Sequence, residues 1–233
     1  MIDLYALTSP TIQRIFIALE ELELPYNTIL VDTWKGEHFT PDFEKLTPNQ
    51  KLPVIVDHDG PGGKRQVVWE SGAILVYLAD KTRRLIPSDP GQRSDVMQWM
   101  FLQMSAGGPF SGQVVHFSNY APKDGNDYAL SRFKTMVNRL YDVYDKQLAH
   151  HRFVAGEEYS IADIAALPWL RYYPILKIDI EARPNVKRWI VMLEARPAVQ
   201  TALAKIATIK STRETATVDM KDRVFGRGAY ARP

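Results

Sequence analysis

The 233-residue chain contains no cysteine. That excludes a disulfide framework, thiolate metal ligands and a protein-borne thiol nucleophile. Any sulfur chemistry must therefore use a thiol carried by a ligand. No apolar run approaches the ~18 residues of a membrane span, so no membrane association is expected. Charge of one sign is also missing: 29 Lys and Arg stand against 27 Asp and Glu, a net +2. This is too little for a nucleic-acid footprint, and no nucleic-acid partner is expected. The small excess sits in residues 208–233, where six Lys and Arg outnumber three Asp and Glu. Histidines number five. The neighbours His150-His151 point apart with no third ligand spaced near them, so no metal is expected. The opening Met1-Ile2-Asp3-Leu4-Tyr5 lacks a basic segment ahead of an apolar one. It reads as a strand rather than a secretory signal, and the expected location is cytoplasmic.

What is present is ordinary for a globular protein, with 45% hydrophobic and 24% charged residues. The length suits one large domain or two small ones. Leu4–Leu7 reads as a strand broken by Thr8-Ser9-Pro10-Thr11. Helical spacing follows at Ile12, Ile15, Phe16, Leu19 and Leu22, with Glu20, Glu21 and Glu23 on the outer face. Pro25 ends that helix and Thr28–Val31 forms a second strand, which predicts a parallel pair with a crossover helix. After the polar loop Trp34–Thr40 and a short helix from Pro41 to Leu46 comes Asn49-Gln50-Lys51-Leu52-Pro53-Val54-Ile55-Val56, a strand entered through proline. The turn Asp59-Gly60-Pro61-Gly62-Gly63 returns it as a hairpin to Val67-Val68-Trp69, which reads as the end of a buried strand.

That strand runs straight into a helix, Ser71 to about Lys81, through Glu70-Ser71-Gly72. A helix start leaves backbone N–H groups unpaired and attracts a carboxylate. Glu70 beside it suits an ammonium. Together they fit the α-amino acid end of a small molecule.

From residue 92 to about 207 the period stays helical. Gln92–Phe117 reads as one long helix, bent at Gly107-Gly108-Pro109, and Tyr128–Leu148 as another. Ser160-Ile161-Ala162-Asp163 is a capping box, with Asp163 in a structural role, and Pro168 lies inside the helix that it opens. Pro184–Ala195 and Pro197–Ile206 are two more helices, each opened by proline. The tail, through Gly226, Gly228 and Pro233, reads as an extended surface segment.

The order βαβ then ββα, with proline at the third strand and an all-helical second half, resembles the cytosolic glutathione S-transferases. The likeness runs from residue 1 to about 207. It rests on Asn49-Gln50-Lys51-Leu52-Pro53-Val54, Glu70-Ser71-Gly72-Ala73-Ile74 and Ser160-Ile161-Ala162-Asp163-Ile164-Ala165. Within that family it is most similar to the bacterial nu class, through Met1–Tyr5, Glu20-Glu21, Lys35-Gly36-Glu37 and Tyr128 with Arg132. The resemblance implies an α/β plus all-α fold: a thioredoxin-like βαβββα domain with a cis proline over residues 1–82, a linker over 83–91, a helical domain over 92–207 and a tail over 208–233. It implies a homodimer that binds glutathione or glutathione disulfide as cosubstrate, with Lys51, Leu52, Pro53, Glu70, Ser71 and Arg132 as binding residues. The implied activity is thiol–disulfide exchange on a small disulfide without protein cysteine. The alternatives are conjugation or thiolytic ether cleavage of small electrophiles, or a non-enzymatic regulator of the same fold. The nu pattern Thr-Pro-Asn stands here as Ser9-Pro10-Thr11, so a shorter hydroxyl replaces an amide donor.

Ser9 and Thr11, with the first helix start, are the catalytic candidates. They would stabilise a thiolate, the reactive form of a thiol. Ser9 equally suits a helix N-cap before Pro10. Tyr5 is a competing hydroxyl, although its place in mid-strand favours a sheet face. Lys51 suits the glycyl carboxylate or plain solvation, and Arg132 the partner subunit's ligand or a surface helix. Trp34, His38, Phe110 and His116 are candidates for an acceptor pocket, although aromatics in long helices more often belong to a core.

Overall fold

The computed structural model describes residues 1–122 and 124–231. Pro233, placed in the tail above, lies outside them. Contacts divide the chain into two compact units, residues 1–74 with 201–233, and residues 75–200. The boundaries read from sequence follow changes of period. The contacts instead group the C-terminal residues with the sheet-bearing unit.

The first unit opens with β1 (Ile2–Ala6), α1 (Pro10–Glu21) and β2 (Tyr26–Leu30). After two 3-10 turns, Thr33–Lys35 and Glu37–Phe39, come α2 (Pro41–Glu44), β3 (Val54–Asp57), β4 (Gln66–Trp69) and the start of α3 (Ser71–Thr82). The sheet order is β2-β1-β3-β4. β1 and β2 pair in parallel, and the other two pairs are antiparallel. This is the mixed thioredoxin-like sheet that the resemblance implied, and the Leu52–Pro53 peptide is cis.

Two readings change. β4 is an edge strand, not a buried one: Val67 and Val68 are half-buried, and Trp69 is 39% exposed. Its β-branched residues mark a pleated surface rather than depth. α1 is buried on more than the one face its spacing suggested. Arg14, Ile17 and Ala18 join Ile12, Ile15, Phe16 and Leu19 in the interior. Its outer end meets the C-terminal part of the unit, where Lys205 Nζ donates to Glu20 Oε1 and lies over the Tyr26 ring.

The second unit holds α4 (Pro90–Leu102), α5 (Gly108–Asn119), α6 (Asp127–Leu148), α7 (Ile161–Leu170), α8 (Tyr173–Leu176), α9 (Pro184–Glu194) and the start of α10 (Pro197–Ala207). The expected long helix is two helices joined by a π-helical turn, Gln103–Gly107. Pro109 has no N–H to continue the ladder, and a wider turn absorbs the break. The Gln103 side-chain oxygen fills the place where a Cβ on residue 107 would stand, so any larger residue there would displace the Gln103 amide. That oxygen accepts from Tyr144 Oη at 3.1 Å. In the first unit the tail contains α11 (Val218–Phe225), capped by Thr217 and ended by Gly226 at φ 61°. The tail is therefore not a purely extended strap. Its Thr217 and Gly226 are ordinary start and stop signals on a short helix.

The capping box of α7 forms as read. The Asp163 carboxylate accepts from the backbone of Val154 and Ser160, from Ser160 Oγ, and from Trp189 Nε1 at 3.0 Å. It is fully buried. Burial pushes its carboxyl up to about 6, and these four donors pull the other way. Asp163 thus ties the start of α7 to the preceding loop and to α9. Asp163→Ala leaves buried donors unpaired, and it should cost about 3–5 kcal/mol in urea denaturation. A loss under ~1 kcal/mol would mean that the site relaxes and the ties are dispensable.

Candidate active site

The sheet register decides where the site lies. Tyr5 stands opposite Val54, and Val54 opposite Trp69. Their rows lie at one end of the sheet, so the segments just beyond them come together: Ser9-Pro10-Thr11 after β1, Lys51-Leu52-Pro53 before β3, and Glu70-Ser71 after β4. They line a cavity of about 240 Å³ with Thr47. Beneath it, Val31, Phe43 and Val54 form a core cluster against which Tyr5, Leu52 and Val67 pack. Tyr5 lies edge-on to Phe43 at 6.2 Å, the sheet-face role.

Ser9 is the N-cap of α1, its Oγ accepting from Ile12 N at 3.2 Å. The two roles open to it in the sequence are compatible, because an accepting hydroxyl still has its proton to give. Pro10 at the first helical position has no N–H to offer, so Thr11 supplies the next donors. Glu70 holds φ at 68° and Gln50 at 49°. Left-handed backbone at a non-glycine residue costs roughly 1 kcal/mol or more and concentrates at functional positions. The Glu70 carbonyl accepts from Ile74 N at 2.9 Å, so Glu70 itself stands at the start of α3 with its carboxylate exposed. Asn49 Nδ2 donates to that carboxylate at 3.2 Å.

Asn49 and the buried Thr47 are site residues that sequence reasoning did not single out. Asn49 lay inside the quoted motif. Nothing in the local pattern marks Thr47. Arg14 was missed as well: it is buried, and its Nη1 donates to Ser71 Oγ at 3.2 Å. A cation inside an apolar helical face was the available signal.

The remaining candidates lie elsewhere. Arg132 is exposed on α6. Phe110 and Phe117 gather around Phe133, at 6.2 and 5.9 Å between ring centroids, and His116 lies edge-on to Phe117 at 5.4 Å. This is an aromatic cluster between α5 and α6. Trp34 and His38 serve the C-terminal segment. Trp34 meets Phe225 edge-on at 5.9 Å. Thr212 donates from N and Oγ1 to Asp32 Oδ2, and Asp32 Oδ1 accepts from Trp34 N. The Arg223 guanidinium lies over Phe39 and fills the space beside Gly36, where a Cβ would stand 2.8 Å from Cζ. Gly36, at φ 77°, is thus required for both its turn and this approach.

The comparisons with known proteins agree with this geometry. Residues 8–81 match the glutathione S-transferase N-terminal domain and residues 113–197 the C-terminal domain. The chain belongs to the glutathione S-transferase family. It is 42% identical over 206 residues to the disulfide-bond oxidoreductase YfcG of Escherichia coli K12, covering 88% of this chain and 95% of that protein. A Pseudomonas fluorescens family member with two glutathione bound is 38% identical, with a TM-score of 0.81 over 87% of this chain and 92% of the other. A Pseudomonas putida glutathione transferase with one glutathione disulfide per subunit is 37% identical, with a TM-score of 0.81 over 87% and 90% of the two chains. Among the described residues no helix is long and apolar enough to cross a membrane.

His38 carries a pH consequence. It is 6% exposed, and burial, then the nearby Arg223 charge, push its imidazole down to about 4. The fold holds it neutral. The stability this gives is full above the ordinary value near 6.5 and is lost as pH falls from there towards 4. Between pH 8 and pH 5 the wild type should lose about 2 kcal/mol more than His38→Gln in paired urea titrations. Parallel curves for the two proteins would show that His38 ionises freely in the fold.

Proposed function

We propose that the protein is a glutathione-dependent disulfide-bond reductase of the nu class, acting as a cytoplasmic homodimer. The carrying observation is the cavity that joins Ser9 and Thr11, Lys51-Leu52-Pro53 and Glu70-Ser71 in a chain without cysteine. The identity to YfcG and the glutathione-bound relatives supports the same reading.

In this reading Glu70 pairs with the ammonium of the γ-glutamyl end of glutathione, and Ser71 with its carboxylate at the start of α3. The Leu52 backbone, before Pro53, holds the cysteinyl unit, and Lys51 meets the glycyl carboxylate. Arg132 reaches from one subunit towards glutathione held by the other. The sulfur then lies at the start of α1, where Ser9 and Thr11 donate to it and the helix dipole favours an anion. No residue acts as a base, because lowering the thiol pKa from roughly 8.5 is enough to populate the nucleophile.

The thiolate attacks one sulfur of a disulfide RSSR. The S–S bond breaks, RS⁻ leaves and takes up a proton, and a mixed disulfide GSSR remains. A second glutathione thiolate attacks the glutathione sulfur of GSSR and releases the other RS⁻. The sum is two glutathione oxidised to glutathione disulfide and RSSR reduced to two thiols.

Steady-state reduction of bis(2-hydroxyethyl) disulfide with glutathione should run far above the uncatalysed rate; a rate equal to it overturns the reading. A panel of small electrophiles tests for conjugation instead. Ser9→Ala should lower kcat roughly 10- to 100-fold with little change in KM for glutathione, while costing about 1 kcal/mol of stability through the lost cap. Glu70→Ala should raise KM for glutathione most. The reverse pattern would place the sulfur at the other end of the cavity.

A further inference from the structure

Behind the cavity stands a charge that the proposed function does not use. Arg14 lies on the second turn of α1 and is 1% exposed. Arginine is almost never so deeply buried without a partner to hold its donors. Its Nη1 donates to Ser71 Oγ at 3.2 Å, a bond that joins α1 to the first residue of α3 across 57 positions of sequence. Ser71 lines the cavity and Arg14 does not. The guanidinium therefore backs the hydroxyl from the interior.

A hydroxyl has one proton and two lone pairs. To hold a carboxylate it must give the proton, and a cationic donor on a lone pair both orients the group and polarises its O–H bond. A guanidinium keeps its charge throughout the accessible pH range and presents its donors in a fixed fork. The bond to Ser71 thus occupies one lone pair and limits the directions in which the hydroxyl can donate.

We infer that Arg14 is a positioning residue for the α-carboxylate of glutathione, acting through Ser71. This rests on the reading of the cavity as the glutathione site, and deepens it.

The test uses the full chain and two ligands in calorimetric titration: glutathione, and γ-aminobutyryl-cysteinylglycine, which lacks only that carboxylate. Arg14→Met should weaken glutathione ~10-fold or more and leave the analogue within about 2-fold of wild type. In a Ser71→Ala background, Arg14→Met should change glutathione affinity by less than about 2-fold. Equal losses for the two ligands, or an undiminished effect without the Ser71 hydroxyl, overturn the role of Arg14. If Arg14→Met fails to fold by circular dichroism, Arg14→Lys decides: a smaller loss confined to glutathione supports the role, and equal losses overturn it. A wild type that binds neither ligand overturns the reading of the cavity, and this role with it. A wild type that binds glutathione but shows equal losses overturns Arg14 alone.

Discussion

The bond between Arg14 and Ser71 joins the two helices whose starts define the site. α1 and α3 each follow a strand at the same end of the sheet, and each presents N–H groups that no earlier turn can satisfy. Pairing of β1 with β3, and of β3 with β4, fixes the strand ends to within a residue. A one-residue slip would turn Val54 to the other face and break the cluster of Val31, Phe43 and Tyr5 that supports the cavity floor. The hydrogen bond then holds α1 to the start of α3. Register and this polar tie together place a hydroxyl, an acid and a backbone turn within one small volume.

The division of labour inside that volume follows from the chemistry of each end. Among the described residues Glu70 is the only acid lining the cavity, and it is exposed, which suits capture of an ammonium from solvent. Ser9 accepts from Ile12 N with one lone pair in the α1 cap, which leaves its proton for the sulfur anion of the proposed reaction. Thr11 reaches less far than an amide, so the proposed reaction places more of the donation on Ser9 and the helix start than an asparagine there would. A chain without cysteine has no competing nucleophile, and the whole electron balance of exchange passes through the bound thiols.

Much of this was legible in the sequence, and the reasons are local. Proline before Val54, Glu70-Ser71 at a switch from period 2 to period 3.6, and the box at Ser160–Asp163 are each short-range signals with one structural solution. The parallel pairing of β1 with β2 followed from the crossover helix and the β3–β4 hairpin from its turn, while the complete sheet was implied by the family resemblance. What could not be read depends on distant partners. Thr47 enters the cavity through a turn whose direction no nearby residue announces. Arg14 was not singled out, because its partner lies 57 residues away. The edge position of β4 was hidden because β-branched residues suit either an edge or a buried strand. The π-helical turn at Gln103–Gly107 was foreseen only as a bend, since Gly107-Gly108-Pro109 marks a break in the ladder but not the width of the turn that absorbs it.

The C-terminal segment shows how a polar, basic stretch acquires structure without a core of its own. α11 has too few apolar residues to be stable in isolation, and helices of this length are marginal in water. Three contacts of different kinds hold it to the loop after β2: the edge-on rings of Phe225 and Trp34, the Arg223 guanidinium over Phe39 and Gly36, and the Thr212 bonds to Asp32. Asp32 also accepts from Trp34 N, and its own N–H donates to Glu37 at 2.6 Å, so the same loop is tied from within and from the tail. Trp34 and His38 therefore spend much of their surface on the chain itself. What they offer a ligand depends on the tail staying in place, and the basic excess of residues 208–233 belongs in part to this docking, through Arg223, rather than to a partner of opposite charge.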